Sequence, residues 1–167
     1  HMKKLKDPAE PLDAFLGRME ALGARLGPVL FQLPPRWRVN VERLEAFLRA
    51  IPGDVRAVFE FRDESWFDER VYEALDRHGA AFCIYDLAGT ESPRVVTGDT
   101  VYVRLHGSGA AYEGAYTKQA LAGWAGACSA WLRSGKDVFV YFDNDAEGSA
   151  PNDALALKAM LDPSARP

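Results

Sequence analysis

Gln32, Glu60, Arg62, Asp86, Arg104, His106, Asp143 and Asn144 are the residues whose types and positions could do chemistry together. Each lies at or just past the end of a short apolar run. Arg62, Arg104 and His106 are the groups that would clamp a phosphate or carboxylate. His106 could serve as general acid or base, oriented by Glu60 or Asp86; its plain alternative is a strand-end histidine bonded to backbone. Glu60, Asp86, His106 and Asp143 are also divalent-metal ligand types, although no compact spacing such as His-x-x-x-His accompanies them. Nucleophilic catalysis has little support. Ser65 reads as a helix cap, and Cys83 should point away from Asp86. Neither a phosphate-binding glycine loop nor a dinucleotide fingerprint is present, and His106-Gly-Ser-Gly109 precedes no immediate helix. The expected assignment is therefore Glu60, Asp86 and His106 as catalytic, with Gln32, Arg62, Arg104, Asp143 and Asn144 holding substrate. Metal and cofactor stay open. The alternative is a set of structural ion pairs, Glu60 with Arg104 or Arg62 with Asp86.

Five runs must position these groups: Pro28 to Leu33, Val55 to Arg62, Ala80 to Asp86, Thr100 to His106 and Asp137 to Asp143. Helix-like stretches separate most of them, which implies parallel strand pairing. Folds of this kind place their sites at the carboxyl ends of the strands. Strand side chains alternate between faces. Val58, Glu60 and Arg62 then share a face, as do Tyr102, Arg104 and His106; by the same parity the third run offers Asp86 with Phe82 and Ile84. The opposite faces are apolar and suit covering helices.

Helix signals are clear in places. A first helix is expected from near Asp7, with Glu10 as capping-box partner and an apolar stripe of Phe15, Leu16, Met19, Leu22 and Leu26. Asn40 can cap a helix to about Ala50. Ser65 and Asp68 resemble a capping box for a helix from Phe67 to His78, closed by Gly79. Residues 87–99 read as irregular, Thr117 opens a long helix to about Ser134, and Asn152 to Leu161 forms the last. Residues 162–167 read as a frayed tail. Trp37 and Trp66 should plug gaps between strand and helix, and Trp124 and Trp131 should be core.

The chain has 167 residues, 48% of them apolar and 26% charged, which suits one soluble domain with a sizeable core. A formal net charge of −4 argues against a broad nucleic-acid-binding face. No run approaches the roughly 20 apolar residues that span a bilayer, and no signal peptide is visible. Cys83 and Cys128 read as reduced core thiols of a cytoplasmic protein.

Several motifs together resemble the YecE-like family, a bacterial and archaeal domain of unknown function. They are Leu26-Gly-Pro-Val-Leu-Phe-Gln-Leu-Pro-Pro35, Glu60-Phe-Arg62 with Ser65-Trp66, Tyr102-Val-Arg-Leu-His-Gly107, and Val140-Tyr-Phe-Asp-Asn-Asp145 followed by Ala150 and Asn152. The resemblance runs through nearly the whole chain and implies a TIM-type (β/α) barrel architecture; it carries no established activity. It also implies that the opening strands of the family barrel are missing, so residues 1–167 would form a single domain, a partial barrel of about five parallel strands. Such a sheet cannot close into an eight-stranded barrel and leaves exposed edges. A homo-oligomer joined through those edges is therefore expected. The expected function is an enzyme or enzyme fragment acting on a phosphorylated or otherwise anionic small molecule. The alternative is a non-catalytic binding or assembly module.

Overall fold

The computed structural model describes residues 4–109 and 112–162. Its strands are β1 (Val29–Leu33), β2 (Ala57–Phe61), β3 (Ala81–Leu87), β4 (Thr90–Glu91), β5 (Thr100–Leu105) and β6 (Asp137–Phe142). The α-helices are α1 (Ala9–Met19), α2 (Val41–Ala50), α3 (Glu69–Arg77), α4 (Lys118–Arg133) and α5 (Ser149–Leu161). The chain packs as two compact units, His1–Cys83 with Val95–Asp99, and Ile84–Arg94 with Thr100–Pro167. Strand β3 begins in the first and ends in the second.

In the first unit β1 pairs with β2 in parallel, from Val29 opposite Ala57 to Leu33 opposite Phe61. Strand β2 pairs with β3 in parallel through Val58–Ala81 and Phe59–Phe82. This register lines up Phe31, Phe59, Phe61 and Phe82 on one face. Phe47 of α2 meets Phe31 and Phe59 edge-on at 5.1 and 5.9 Å, and Tyr72 of α3 meets Phe82 at 5.4 Å. Trp66 stacks on Phe61 at 4.8 Å and donates its indole N–H to the Trp37 carbonyl at 2.6 Å. Both indoles are buried and fill the space beyond the strand ends, as expected. Aromatic pairs of this geometry add about 0.5–1.5 kcal/mol each beyond the burial of their area.

The register corrects the expected face of β3. Phe82 stands with the helix-facing phenylalanines, and Cys83 shares the Glu60 face. Its two alternating sets, Ala81, Cys83 and Tyr85 against Phe82 and Ile84, are both apolar and fully buried. Alternation therefore carried no signal for this strand.

Helix starts in the first unit also differ from expectation, at α1 and α3. Helix α1 begins at Ala9 after Pro8, with no side-chain cap from Asp7, and Leu12 is its buried residue. None of the expected stripe is buried, and Phe15 is 41% exposed. Gly23, at φ +49°, breaks the helical path after a 3-10 turn begins at Glu20. Helix α3 takes Asp68 as its cap, the carboxylate accepting from Arg70 N–H at 3.0 Å. Ser65 instead sits in a 3-10 turn, donating to Asp63 Oδ1 at 2.7 Å and accepting from Val39 N–H at 2.9 Å. The bonds from Ser65 hold the Asp63 carboxyl below the usual carboxylate range, and the Arg70 guanidinium, helped by its backbone N–H, holds Asp68 at about 2. Asn40 caps α2 as expected, accepting from Arg43 N–H at 2.8 Å.

In the second unit β5 and β6 pair in parallel from Thr100–Asp137 to Leu105–Phe142. The strand order sets β3 beside β5, and the end of β3 pairs antiparallel with the short β4, inside the stretch expected to be irregular. Thr117 caps α4 through Ala120 N–H at 3.1 Å. Leu121, Trp124, Ala125 and Cys128 form its buried face, with the Arg94 guanidinium 4.1 Å above Trp124. Trp131 is half-buried, and α5 starts three residues earlier than expected. Cys83 and Cys128 are free and buried. Burial raises the Cys128 thiol above its ordinary range. Apart from Asp162, the expected frayed tail lies outside the described residues. No helix among the described residues is long and apolar enough to cross a membrane.

Candidate functional site

The second unit brings Asp86, Arg104, His106, Asp143 and Asn144 to neighbouring strand ends. The backbone does this directly. His106 N–H donates to Asp86 O at 2.8 Å, and Asp143 N–H donates to Leu105 O at 2.8 Å. Carboxyl ends of β3, β5 and β6 are thereby stitched side by side. Arg104 and His106 then point the same way, two residues apart, while Asp143 follows the neighbouring strand.

The side chains form a series. Asp143 Oδ2 accepts from Arg104 Nη2 at 2.7 Å and lies 3.0 Å from His106 Nδ1. The His106 side chain is fully buried, Arg104 is 17% exposed and Asp143 33%. One carboxylate oxygen therefore lies between a guanidinium at the rim and an imidazole beneath it. Tyr112 covers the imidazole edge-on at 5.3 Å, and its N–H donates to His106 O at 2.6 Å.

A second series begins at Asp86. Its carboxyl is pushed above the usual range by burial, helped by the Glu91 charge, and opposed by hydrogen bonds from Tyr116 and Gly89 and by Arg94. Asp86 Oδ1 is buried with no hydrogen-bond partner among the described residues. The Tyr116 hydroxyl bridges outward, accepting from Gly107 N–H at 3.1 Å. Burial and the Asp86 charge lift that phenol far above its ordinary range. Tyr116 N–H donates to Asp153 Oδ2 at 3.0 Å, and Asn144 Nδ2 donates to the same oxygen at 2.8 Å and to Gly114 O at 3.0 Å. Asn144 is fully buried, and its Oδ1 has no hydrogen-bond partner among the described residues.

Tyr116, Asp153 and Gly107 were not among the expected site residues. Tyr116 and Asp153 sit outside the strand runs, where alternation says nothing. Gly107 could have been found, since it directly follows the strand-end histidine. It adopts φ +107°, and a Cβ there would lie 2.2 Å from the Glu113 carbonyl oxygen. Only glycine lets the chain leave β5 along this path.

Gln32, Glu60 and Arg62 belong to the first unit. Gln32 stands opposite Glu60 in register and is exposed. Glu60 is wholly buried and ion-pairs with Arg62, whose side chain is 8% exposed. Cys83 Sγ donates to Glu60 Oε2 at 3.7 Å. The ion pairs described join Glu60 to Arg62 and Arg104 to Asp143. No group of three or more His, Cys, Asp or Glu side chains among the described residues is arranged to hold a metal ion.

Parallel strands alternating with helices, with polar groups at the strand ends, define an α/β protein built on a mainly parallel sheet. The chain belongs to the family described as "Protein of unknown function DUF72", whose model matches residues 1–167. It is 27% identical over 168 residues to the UPF0759 protein YunF of Bacillus subtilis, covering 83% of this chain and 58% of that one. Its fold matches a solved DUF72 family protein from Thermotoga maritima, with a TM-score of 0.84 and 30% identity over 93% of this chain and 66% of the other. A DUF72 family protein from Enterococcus faecalis shares the fold at a TM-score of 0.82 and 22% identity, covering 93% of this chain and 66% of that one. The chain thus spans 58% of the length of its Bacillus relative and 66% of the Thermotoga one. The α/β class with a parallel sheet, expected from the strand–helix alternation, is the fold observed.

Proposed function

We propose that the strand ends of the second unit bind a phosphorylated or otherwise anionic small molecule and carry out proton-transfer chemistry on it. In this reading Arg104 anchors the anion through its planar fork of donors. His106 and Asp86 are the proton carriers, the first oriented by Asp143, the second kept able to hold a proton by burial. Asn144 and Tyr116 hold the surrounding loop in place. Glu60 and Arg62 serve the packing of the first unit as a matched pair, with Gln32 beside them. The observation that carries the reading is the single Asp143 oxygen placed between Arg104 and His106.

A non-catalytic binding or assembly role is the second reading, and one observation favours it. His106 and Glu60 are both fully buried against charged neighbours, as in a purely structural network. Thermal shift with phosphate, sulfate and sugar phosphates separates the two. A ligand at about 100 times its dissociation constant adds about 2.7 kcal/mol, or roughly 5–10 °C for a chain of this size. The proposal expects such a shift and its loss in Arg104→Ala. No shift with any of these anions, or an equal shift in Arg104→Ala, would favour the assembly role.

A further inference from the structure

Asp86 Oδ1 and Asn144 Oδ1 are both buried acceptors with no donor among the described residues. Buried polar atoms are nearly always paired, so two orphans in one cluster need a reason. The Asn144 amide cannot turn to relieve its own. Its Nδ2 donates to Gly114 O at 3.0 Å and to Asp153 Oδ2 at 2.8 Å. A flipped amide would set oxygen against oxygen at both places, so Oδ1 is fixed as an acceptor. Asp86 is held in a similar way. The Tyr116 hydroxyl hydrogen-bonds with its carboxyl, and Oδ1 is the atom left over.

One short segment, residues 112–116, touches every member of this cluster. The Tyr112 ring meets His106 at 5.3 Å, the Gly114 carbonyl accepts from Asn144, and Tyr116 bonds with Asp86. Arg104 and Asp143 stand beside His106 and are partly open to solvent. The two orphaned oxygens thus belong to the same group of residues as the anion anchor proposed above. We infer, resting on that reading, that the ligand is a polyhydroxylated anion, whose charge sits on Arg104 and whose hydroxyl groups donate to Asn144 Oδ1 and Asp86 Oδ1. A simple anion brings no donor and would leave both oxygens unpaired. A hydroxyl suits both, because it donates to an amide oxygen and can either donate to or accept from a carboxyl. Both oxygens are closed to solvent, so the ligand enters as Tyr112 and Gly114, which are exposed, move aside.

The test is titration calorimetry of the 167-residue chain with two matched pairs of probes. Glycerol 3-phosphate is compared with propyl phosphate, and glycerate with propionate; the members of each pair differ only in their hydroxyl groups. In at least one pair the hydroxylated member should bind more tightly by about tenfold or more, because a site built to hydrogen-bond a hydroxyl rejects the analogue that lacks it. The pair that responds tells a sugar phosphate from a sugar acid. Asn144→Leu should erase this preference while leaving the affinity for propyl phosphate or propionate unchanged. If that variant does not fold, Asp86→Ala is read in the same way, and the matched pairs on the unaltered chain decide the question without either. Equal affinity within both pairs, with binding lost in Arg104→Ala, would overturn the hydroxyl inference and leave the anion site standing. A hydroxyl preference that survives in Arg104→Ala would keep the inference about the two oxygens and remove Arg104 as the anchor. No binding of any of the four probes would sink both. So would a preference unchanged in both Asn144→Leu and Asp86→Ala for the role of these oxygens.

Discussion

At the scale of single residues, Asp86 and Arg62 make opposite demands on their surroundings. The Asp86 carboxyl is raised from its ordinary 3.8, chiefly by burial. A group that binds its proton more tightly when folded stabilises the fold below its unfolded pKa, and that contribution is lost as pH rises through the folded value. Asp86→Asn removes the cost of the buried charge and keeps an acceptor for Tyr116. The stability of the wild type relative to this variant should therefore fall as pH rises above 3.8, as read from urea titrations at a series of pH values. The lowered Asp63 and Asp68 carboxyls act in the other sense, losing their contribution as pH falls below 3.8; they cancel in the comparison because both proteins carry them. Arg62 is the counter-ion of a wholly buried glutamate. Arg62→Ala removes the ion-pair partner of a buried carboxylate and should cost about 3–5 kcal/mol. Glu60→Gln combined with Arg62→Met should recover most of the loss, as read from denaturant midpoints. A single Arg62→Ala chain as stable as wild type would mean that Arg62 is not what balances the buried Glu60.

Among the elements, the starts of α2 and α4 were readable from the sequence, and those of α1, α3 and α5 were not. Asn40 and Thr117 each precede an apolar-periodic stretch, and each caps its helix through a measured bond. Thr117→Ala should cost about 1 kcal/mol, the usual worth of such a cap, seen as a lower melting temperature with α4 helicity retained by circular dichroism. Ser65 was expected to cap α3 with Asp68 as its partner, but Ser65 donates to Asp63 and Asp68 takes the cap itself. Asp68 won because it alone stands immediately before the run that packs. In β3 the alternating pattern was apolar on both sides, so parity misassigned the face of Phe82 and Cys83. The charged ends of β5 and β6 escaped that ambiguity, since Arg104 and Asp143 stand out against otherwise apolar runs. Tyr116, Asp153 and Asn144 converge only through hydrogen bonds across 30 or more residues of chain in two of three pairings. No local pattern could announce them.

For the molecule as a whole, the placement of Arg104, His106 and Asp143 at adjacent strand ends was legible in the sequence, and the covering surfaces were not. Leu155, Leu132 and Tyr141 of the second unit are 65%, 51% and 44% exposed. Scattered exposed apolar residues contribute little to stability. Leu155→Lys should change unfolding free energy by less than about 0.5 kcal/mol. A loss beyond about 1 kcal/mol would show that Leu155 is buried in the protein as it exists in solution, against a partner or another copy.

The tryptophans divide evenly: Trp37 and Trp66 lie in the first unit, Trp124 and Trp131 in the second. Excited indole is strongly dipolar, so its emission moves to the red when water reaches it. The chain therefore carries an optical reporter in each half. Replacing Trp124 and Trp131 by phenylalanine leaves a fluorescence signal from the Trp37–Trp66 pair alone. The reverse double replacement leaves the indole under Arg94 and its neighbour one heptad away. Denaturation curves from the two versions, referenced to circular dichroism of each, would show whether the halves melt in one transition or two.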